Sequence, residues 1–235
     1  MQTAHGIDQV WLFGSYARGE SEISSDIDVL FISETNCTEL VERMLSEMGI
    51  LQEKIDLSHY TRDGIRTLAS KGALFTWHLK EEGKPLYQAS SWLNELLGEM
   101  PKYNNHISDL AVLMQLINDA GESLRDSGST AIFDAGVIST AIRNTSIILT
   151  NYLGATDFSP YAPQVLAQLE PSLEIPIPLS DYKKLLKCRH VSERGISVER
   201  LDVDVRELRK NIPKITRWQS KCVEYIQRHG VNDVH

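Results

Sequence analysis

Two aspartates, Asp26 and Asp28, open the apolar segment 27–32, which predicts a strand. Because the side chains of a strand alternate between the two faces of a sheet, both carboxylates are expected on one face, with Ile27 on the other. Two adjacent carboxylates repel each other, and a cation between them removes that cost. Mg²⁺ or Mn²⁺ is the expected cation, because these hard ions bind carboxylate oxygens together with the phosphate oxygens of a substrate.

A third acid, Asp56, lies in the apolar segment 54–57, which predicts another strand. If that strand lies beside the strand of Asp26 and Asp28, the three carboxylates can hold two metal ions. One ion would then bind a triphosphate, and the other would lower the pKa of an attacking hydroxyl. The candidate general base is Asp56 or a metal-bound species beside it.

Gly14 and Ser15 follow the first apolar segment, residues 8–13, and predict a phosphate-binding turn. Glycine lets the backbone approach a phosphate closely, and backbone N–H groups at a helix start, with the Ser15 hydroxyl, can bind the outer phosphates. Arg18, one helical turn later, adds a cation. Ser25, just before the aspartate pair, is a further candidate hydrogen-bond donor to phosphate.

The elements that position these residues are predicted from apolar spacing and from Gly and Pro. In the first half of the chain the pattern mixes strands with helices, and after about residue 90 it is almost entirely helical, so the fold class is α+β with a boundary between residues 1–90 and 91–235. The predicted strands are 8–13, 27–32 and 54–57, followed by a short extended segment at 84–88. The predicted helices are 38–48, 61–83 (as one or two), 106–126, 131–153, 181–192 and 199–228, with a short helix at 164–169 inside a loop. Pro213 predicts a break, kink or restart in the last of these helices.

The amino-acid composition and net charge exclude several classes of protein. The chain has 235 residues, 42% of them apolar, and a net charge of −8, which excludes a disordered chain and disfavours broad DNA binding. No segment approaches the length of uninterrupted apolar sequence that a membrane span needs, and residues 1–11 lack the features of a secretory signal, so a cytoplasmic location and no membrane partner are expected. A run of basic residues at 183–194 is either a solvated helix face or a surface that binds phosphate or an acidic partner.

The segment FGSYARGESEISSDIDVLF, residues 13–31, closely resembles the signature of the DNA polymerase beta-like nucleotidyltransferases, above all the minimal and antibiotic types of bacteria. The segment HLKEEGKPLY, residues 78–87, resembles the end of such domains. The resemblance implies a small mixed sheet flanked by helices, Mg²⁺ dependence and transfer of a nucleoside monophosphate from an NTP. It implies triphosphate binding for Gly14 and Ser15, and metal binding for Asp26, Asp28 and Asp56.

The helical half resembles the C-terminal domains of kanamycin-type nucleotidyltransferases and the related HEPN domains, mainly through AIRNTSIILTNYLG, residues 141–154. The predicted function is therefore transfer of a nucleoside monophosphate, with ATP as the expected donor, to a hydroxyl of a small molecule such as an aminoglycoside-like antibiotic. Two alternatives stay open: a protein or tRNA acceptor in a toxin–antitoxin or defence system, and a non-catalytic nucleotide-binding module. A homodimer is also left open.

Overall fold

The computed structural model describes residues 6–20, 26–50, 55–126, 129–194 and 204–229. The chain divides into two compact units, residues 1–104 and 105–235, each considered by itself below. A four-stranded mixed sheet lies in the first unit and helices make up the second, which confirms the α+β class.

The first unit is built on a sheet with the strand order β3-β2-β1-β4. Strands β1 and β2 are antiparallel, β1 and β4 are antiparallel, and β2 and β3 are parallel. The strands are β1 (Ile7–Phe13), β2 (Ile27–Ser33), β3 (Ile55–Tyr60) and β4 (Lys84–Gln88), and the helices are α1 (Gly14–Arg18), α2 (Thr38–Glu47), α3 (Arg62–Ser70), α4 (Leu74–Glu82) and α5 (Trp92–Gly98). The predicted segment 61–83 thus forms two helices.

Both faces of the sheet are covered, which explains why its central strands read as continuous apolar runs. On one face Val29 and Phe31 pack with Val41 and Leu45 of α2. The other face carries Leu30, which packs with residues of α3, α4 and α5. Strand alternation places Asp28 on this second face, two residues before Leu30.

The side chain of Asp8, at the start of β1, connects α5 to the sheet through hydrogen bonds. The Asp8 carboxylate accepts hydrogen bonds from Arg62 Nη2 at 2.6 Å and from Trp92 Nε1 at 2.9 Å. The Arg62 guanidinium also lies 4.7 Å from the centre of the Trp92 ring. These contacts hold α5 against the starts of β1 and α3, so α5 packs within the first unit. The predicted domain boundary at residue 90 stays a prediction.

The second unit is arranged around α7 (Ala131–Tyr152), which is buried along most of its length. By length and composition α7 is the one described helix that could cross a membrane, but the core helix of a protein passes the same test when it is mostly buried, as α7 is. Helices α6, α8, α9 and α10 all pack against α7. They are α6 (His106–Asp126), α8 (Ala162–Leu169), α9 (Leu179–Arg194) and α10 (Val205–His229), with a 3₁₀ turn at Pro171–Leu173.

Helix α10 runs through Pro213 as one continuous helix, and not as two. Pro213 is exposed, whereas Leu208 and Ile215 on either side of it are buried. Further along, Trp218 Nε1 donates a hydrogen bond to the Leu173 carbonyl at 2.8 Å. Packing of the apolar side on both flanks of Pro213 therefore offsets the backbone hydrogen bond that proline cannot donate.

Candidate functional site

The turn at Gly14 lies directly against the Asp28 carboxylate. Phe13, the last residue of β1, is the register partner of Asp28 on β2. Gly14 has a φ of +69°, a conformation that favours glycine, and a Cβ added to it would overlap Asp28 Oδ2 and lie 3.1 Å from Asp28 Cγ. Position 14 therefore requires glycine for two reasons, one of backbone conformation and one of space.

Asp28 and Asp56 lie side by side on neighbouring strands, at the same end of the sheet. The two residues are register partners on the parallel strands β2 and β3, so their side chains lie on the same face. Asp26 lies two residues before Asp28, just outside β2, where alternation directs it to that face as well. Asp26 and Asp28 are half-buried, and Asp56 is exposed.

These three acids supply the oxygen donors that a hard divalent ion prefers, and the Asp28 carboxylate occupies the space that a side chain at position 14 would need. Within the described part of the chain, no group of three or more His, Cys, Asp and Glu side chains is assembled closely enough to hold a metal ion by itself. The donor types fit Mg²⁺, with phosphate oxygens of a nucleotide needed to complete the set.

Arg18 is held by acidic side chains. Its Nη1 donates to Glu82 Oε2 at 2.5 Å and its Nε donates to Glu20 Oε2 at 2.8 Å. The same Glu82 oxygen lies 2.8 Å from His78 Nε2. The side chains of His78, Glu82 and Arg18 are only 13%, 14% and 17% exposed, so this cluster is shielded from water far better than an ordinary surface ion pair.

The charges in this cluster stabilise each other. Burial alone would raise the pKa of Glu82, but the hydrogen bonds and charges of His78 and Arg18 outweigh it, and the pKa of Glu82 is lowered. Burial alone would lower the pKa of Arg18, but Glu20 and Glu82 outweigh it, and the pKa of Arg18 is raised. Glu82 is therefore ionised at neutral pH, and Arg18 keeps its charge.

Comparison with known proteins identifies the first unit. Residues 1–91 match the family model described as "Polymerase beta, Nucleotidyltransferase". These residues are a polymerase beta-type nucleotidyltransferase domain. No curated protein matches the chain.

Three solved structures that are similar to the chain are distant from it in sequence. A spectinomycin adenyltransferase from Enterococcus faecialis, solved with ATP and spectinomycin, is 16% identical over 92% of each chain, with a TM-score of 0.45. A nucleotidyltransferase-like protein from Exiguobacterium sibiricum 255-15 is 10% identical over 94% of this chain and 70% of that one, with a TM-score of 0.35. A toxin–antitoxin structure with AMP-PNP is 20% identical over 40% of this chain and 71% of that one, with a TM-score of 0.28. At these scores the structural likeness carries no conclusion about substrate.

The residues predicted for the site fall into three groups. The nucleotidyltransferase domain places Gly14 against Asp28 and Asp56 in register with Asp28, at one end of the sheet. Asp26 lies two residues before Asp28 in the chain. Ser15 follows Gly14 in α1. The Arg18 guanidinium is occupied by two glutamates, and its predicted contact with phosphate stays a prediction. Ser25 lies outside the described residues.

Sequence reasoning missed His78 and Glu82 as neighbours of this site, although both lie in the segment 78–87. Their i,i+4 spacing on α4 was the available signal. The His78 ring also lies 5.5 Å from the Phe13 ring, edge to face. At Gly83, which follows α4, the backbone packs so closely that an added Cβ would overlap the Leu79 carbonyl and lie 2.9 Å from the Trp11 ring. This position therefore requires glycine. The position of Glu82 is therefore set by close packing of α4 on β1.

Proposed function

We propose that the protein is a metal-dependent nucleotidyltransferase, which moves a nucleoside monophosphate from an NTP, with ATP as the expected donor, to a hydroxyl of a small-molecule acceptor. One observation carries this proposal: the Gly14 turn lies against the Asp28 carboxylate, and Asp56 stands in register beside Asp28. A nucleotide phosphate can approach the backbone at Gly14 while its oxygens share a cation with these carboxylates. The match of residues 1–91 to a nucleotidyltransferase family supports the same reaction.

Each residue of the site would have a distinct role in this reaction. Backbone N–H groups after Gly14, with the Ser15 hydroxyl, would bind the outer phosphates. Asp26, Asp28 and Asp56 would hold Mg²⁺, which when bound would supply positive charge against the charge that develops on the phosphates. Asp56, the exposed member of the three, accepts the proton of the acceptor hydroxyl.

The bonds change by in-line displacement at the α-phosphorus. The acceptor oxygen forms a bond to the α-phosphorus, and the bond from that phosphorus to the oxygen of the leaving pyrophosphate breaks. The hydroxyl proton goes to Asp56, and the electron pair of the broken bond leaves with pyrophosphate. No oxidant or reductant is needed.

The acceptor is proposed to be a cationic small molecule such as an aminoglycoside-like antibiotic. The chain carries a net charge of −8, which favours association with a cation over association with an anion. A protein or tRNA acceptor, as in a toxin–antitoxin or defence system, is the alternative that the test must separate from this one.

The experiment mixes purified protein, Mg²⁺ and α-³²P-labelled NTPs with an aminoglycoside panel and, separately, with fractionated cell extract. The proposal expects label on a small molecule, and no label with Asp28→Asn. Asp63→Asn is the matched control, because Asp63 is 93% exposed on α3 and its substitution removes the same charge away from the site. Label on protein or RNA alone would overturn the small-molecule acceptor, and no Asp28-dependent label in any fraction would overturn the transferase and favour a nucleotide-binding module.

A further inference from the structure

Positive charge is concentrated on α10 to a degree that the composition of the chain hides. This 25-residue helix carries seven Lys and Arg residues against two Glu, a net charge of +5, whereas the whole chain carries −8. Its apolar side is buried within the second unit, through residues that include Leu208, Ile215 and Trp218. The basic side is therefore the side that faces solvent.

Six of these cations form one continuous surface, which we call the α10 basic face. All six side chains are exposed. At 100° per residue their positions fall within about 80° of arc, and from first to last they extend over about 33 Å at 1.5 Å per residue. The α10 basic face consists of Arg206, Lys210, Lys214, Arg217, Lys221 and Arg228.

Among the described residues, few acidic side chains neutralise this face. Lys210 and Arg228 pair with glutamates of their own helix, at 3.6 and 2.9 Å, but exposed pairs of this kind contribute little. Lys214 and Lys221 donate to neutral oxygens, of Asn211 and Ser172, which leaves their charge uncompensated.

Two arginines of the face, Arg206 and Arg217, have no ion-pair partner in the described ranges of the chain. The seventh cation of the helix, Arg209, is different. Its Nε donates to the Leu124 carbonyl near the end of α6 at 2.7 Å, so this residue is used within the fold and is left out of the face.

The chemistry of the face favours a nucleic-acid backbone over an acidic protein. None of the large exposed apolar side chains of the described residues lies on α10. Protein–protein interfaces have an apolar and aromatic centre, whereas protein–nucleic-acid interfaces are more polar and strongly positive. A long row of Lys and Arg without apolar anchors matches a row of phosphates.

We propose that the α10 basic face binds the phosphate backbone of a nucleic acid without reading its sequence. The low pI of the chain does not oppose this, because binding depends on the charge of the local surface, and on α10 only Glu207 and Glu224 stand against seven Lys and Arg residues. Binding by this face is independent of the proposed nucleotidyl transfer, since no residue of that site takes part in it.

The test measures binding of a fluorescent 20-nucleotide single-stranded RNA by anisotropy, from 50 to 200 mM salt. The full-length protein is compared with the triple variant Arg206→Gln/Lys210→Gln/Arg217→Gln. The matched control is Lys183→Gln/Lys184→Gln/Lys187→Gln, which removes the same charge from three exposed lysines of α9. Circular dichroism and thermal unfolding of each variant verify that both remain folded.

The proposal expects salt-dependent binding by the wild type. The α10 triple variant should bind at least tenfold more weakly at 50 mM salt, and its log–log salt slope should be smaller by about 2, because each neutralised phosphate of a single strand contributes roughly 0.7 to that slope. The α9 variant should stay within about threefold of the wild type. Absence of binding by the wild type, equal weakening in both variants, or displacement of the RNA by polyglutamate at lower concentration than by unlabelled RNA would each overturn the proposal, the last in favour of an acidic protein.

Discussion

The close approach of the Gly14 backbone to the Asp28 carboxylate depends on the absence of a side chain at position 14. The sequence places a glycine at the end of one strand and an aspartate near the start of the next, and strand alternation predicts the face of the aspartate. The pairing of Phe13 with Asp28 then brings the two into contact. The sequence alone could not supply this register, which depends on how the antiparallel strands β1 and β2 align.

Substituting Gly14 by Ala should lower the rate of nucleotidyl transfer by at least about 100-fold, the loss expected when catalytic groups are displaced by about 1 Å. The added methyl group needs the space of Asp28 Oδ2, and alanine also disfavours the positive φ at this position. The measurement is the rate of label transfer from an α-labelled NTP.

Gly19→Ala is the matched control for this variant. Gly19 also has a positive φ, of +77°, but an added Cβ meets nothing within 4 Å. Both variants therefore lose about 1 kcal/mol of stability from backbone strain, and only Gly14→Ala disturbs the site. Equal activity of the two variants would contradict the assigned role of the Gly14 turn.

At the scale of elements, α4 holds α1 through the cluster of His78, Glu82 and Arg18. The i,i+4 pair on α4 is visible in the sequence, but its link to Arg18 joins residues 64 positions apart. Apolar periodicity predicts that α4 exists and ends near Gly83, yet it does not predict which face of α4 meets α1. The sequence therefore predicts a phosphate contact for Arg18 and does not indicate its two glutamate partners.

Glu82→Gln should lower the free energy of unfolding at pH 7 by about 1.5–3 kcal/mol, the range for hydrogen bonds to charged groups. Because the folded-state pKa of Glu82 is below its ordinary value of 4.5, its contribution is present above that pH and disappears as the pH falls through the lower folded value. The difference between wild type and variant should therefore shrink below about pH 4.5. Denaturant unfolding at pH 3 to 7 measures it.

The neighbouring residue provides the control. The pKa of Glu81 is raised, chiefly by burial and then by the charge of Glu82. Its ionised form is therefore disfavoured in the folded state, and Glu81→Gln should not destabilise the protein at pH 7. A decrease in stability that is the same for both variants, or constant with pH for Glu82→Gln, would show that the cluster does not act through the Glu82 charge.

For the molecule as a whole, the spacing of apolar residues changes near residue 90 and predicts the change from a mixed sheet to helices. Long periodic segments such as 106–126 and 131–153 match α6 and α7 closely, because many regularly spaced apolar residues define them. The position of α5 is less evident in the sequence, because this short helix depends on Asp8 and Arg62 at a distance. The concentration of charge on α10 was likewise obscured by the acidic total.

A fragment of residues 1–104 should fold by itself, whereas a fragment of residues 1–90 should not fold stably. The shorter fragment lacks α5, whose Leu93 and Leu97 are buried against the core of the sheet. Burial of two such side chains contributes about 3–6 kcal/mol, which is comparable to the stability of a small domain. Circular dichroism and thermal unfolding of both fragments measure this. A cooperative transition in 1–90 equal to that of 1–104 would contradict the assignment of α5 to the first unit.

The most direct test of the central claim compares two labels on the same nucleotide. ATP carrying ³²P at the α-position and, in parallel, at the γ-position is incubated with the protein, Mg²⁺ and the acceptor fraction, using wild type, Asp28→Asn and Asp63→Asn. The account predicts that α-label becomes attached to the acceptor, that γ-label leaves as pyrophosphate, and that only Asp28→Asn stops both. Transfer of γ-label to the acceptor, or α-label transfer that survives Asp28→Asn, would contradict it.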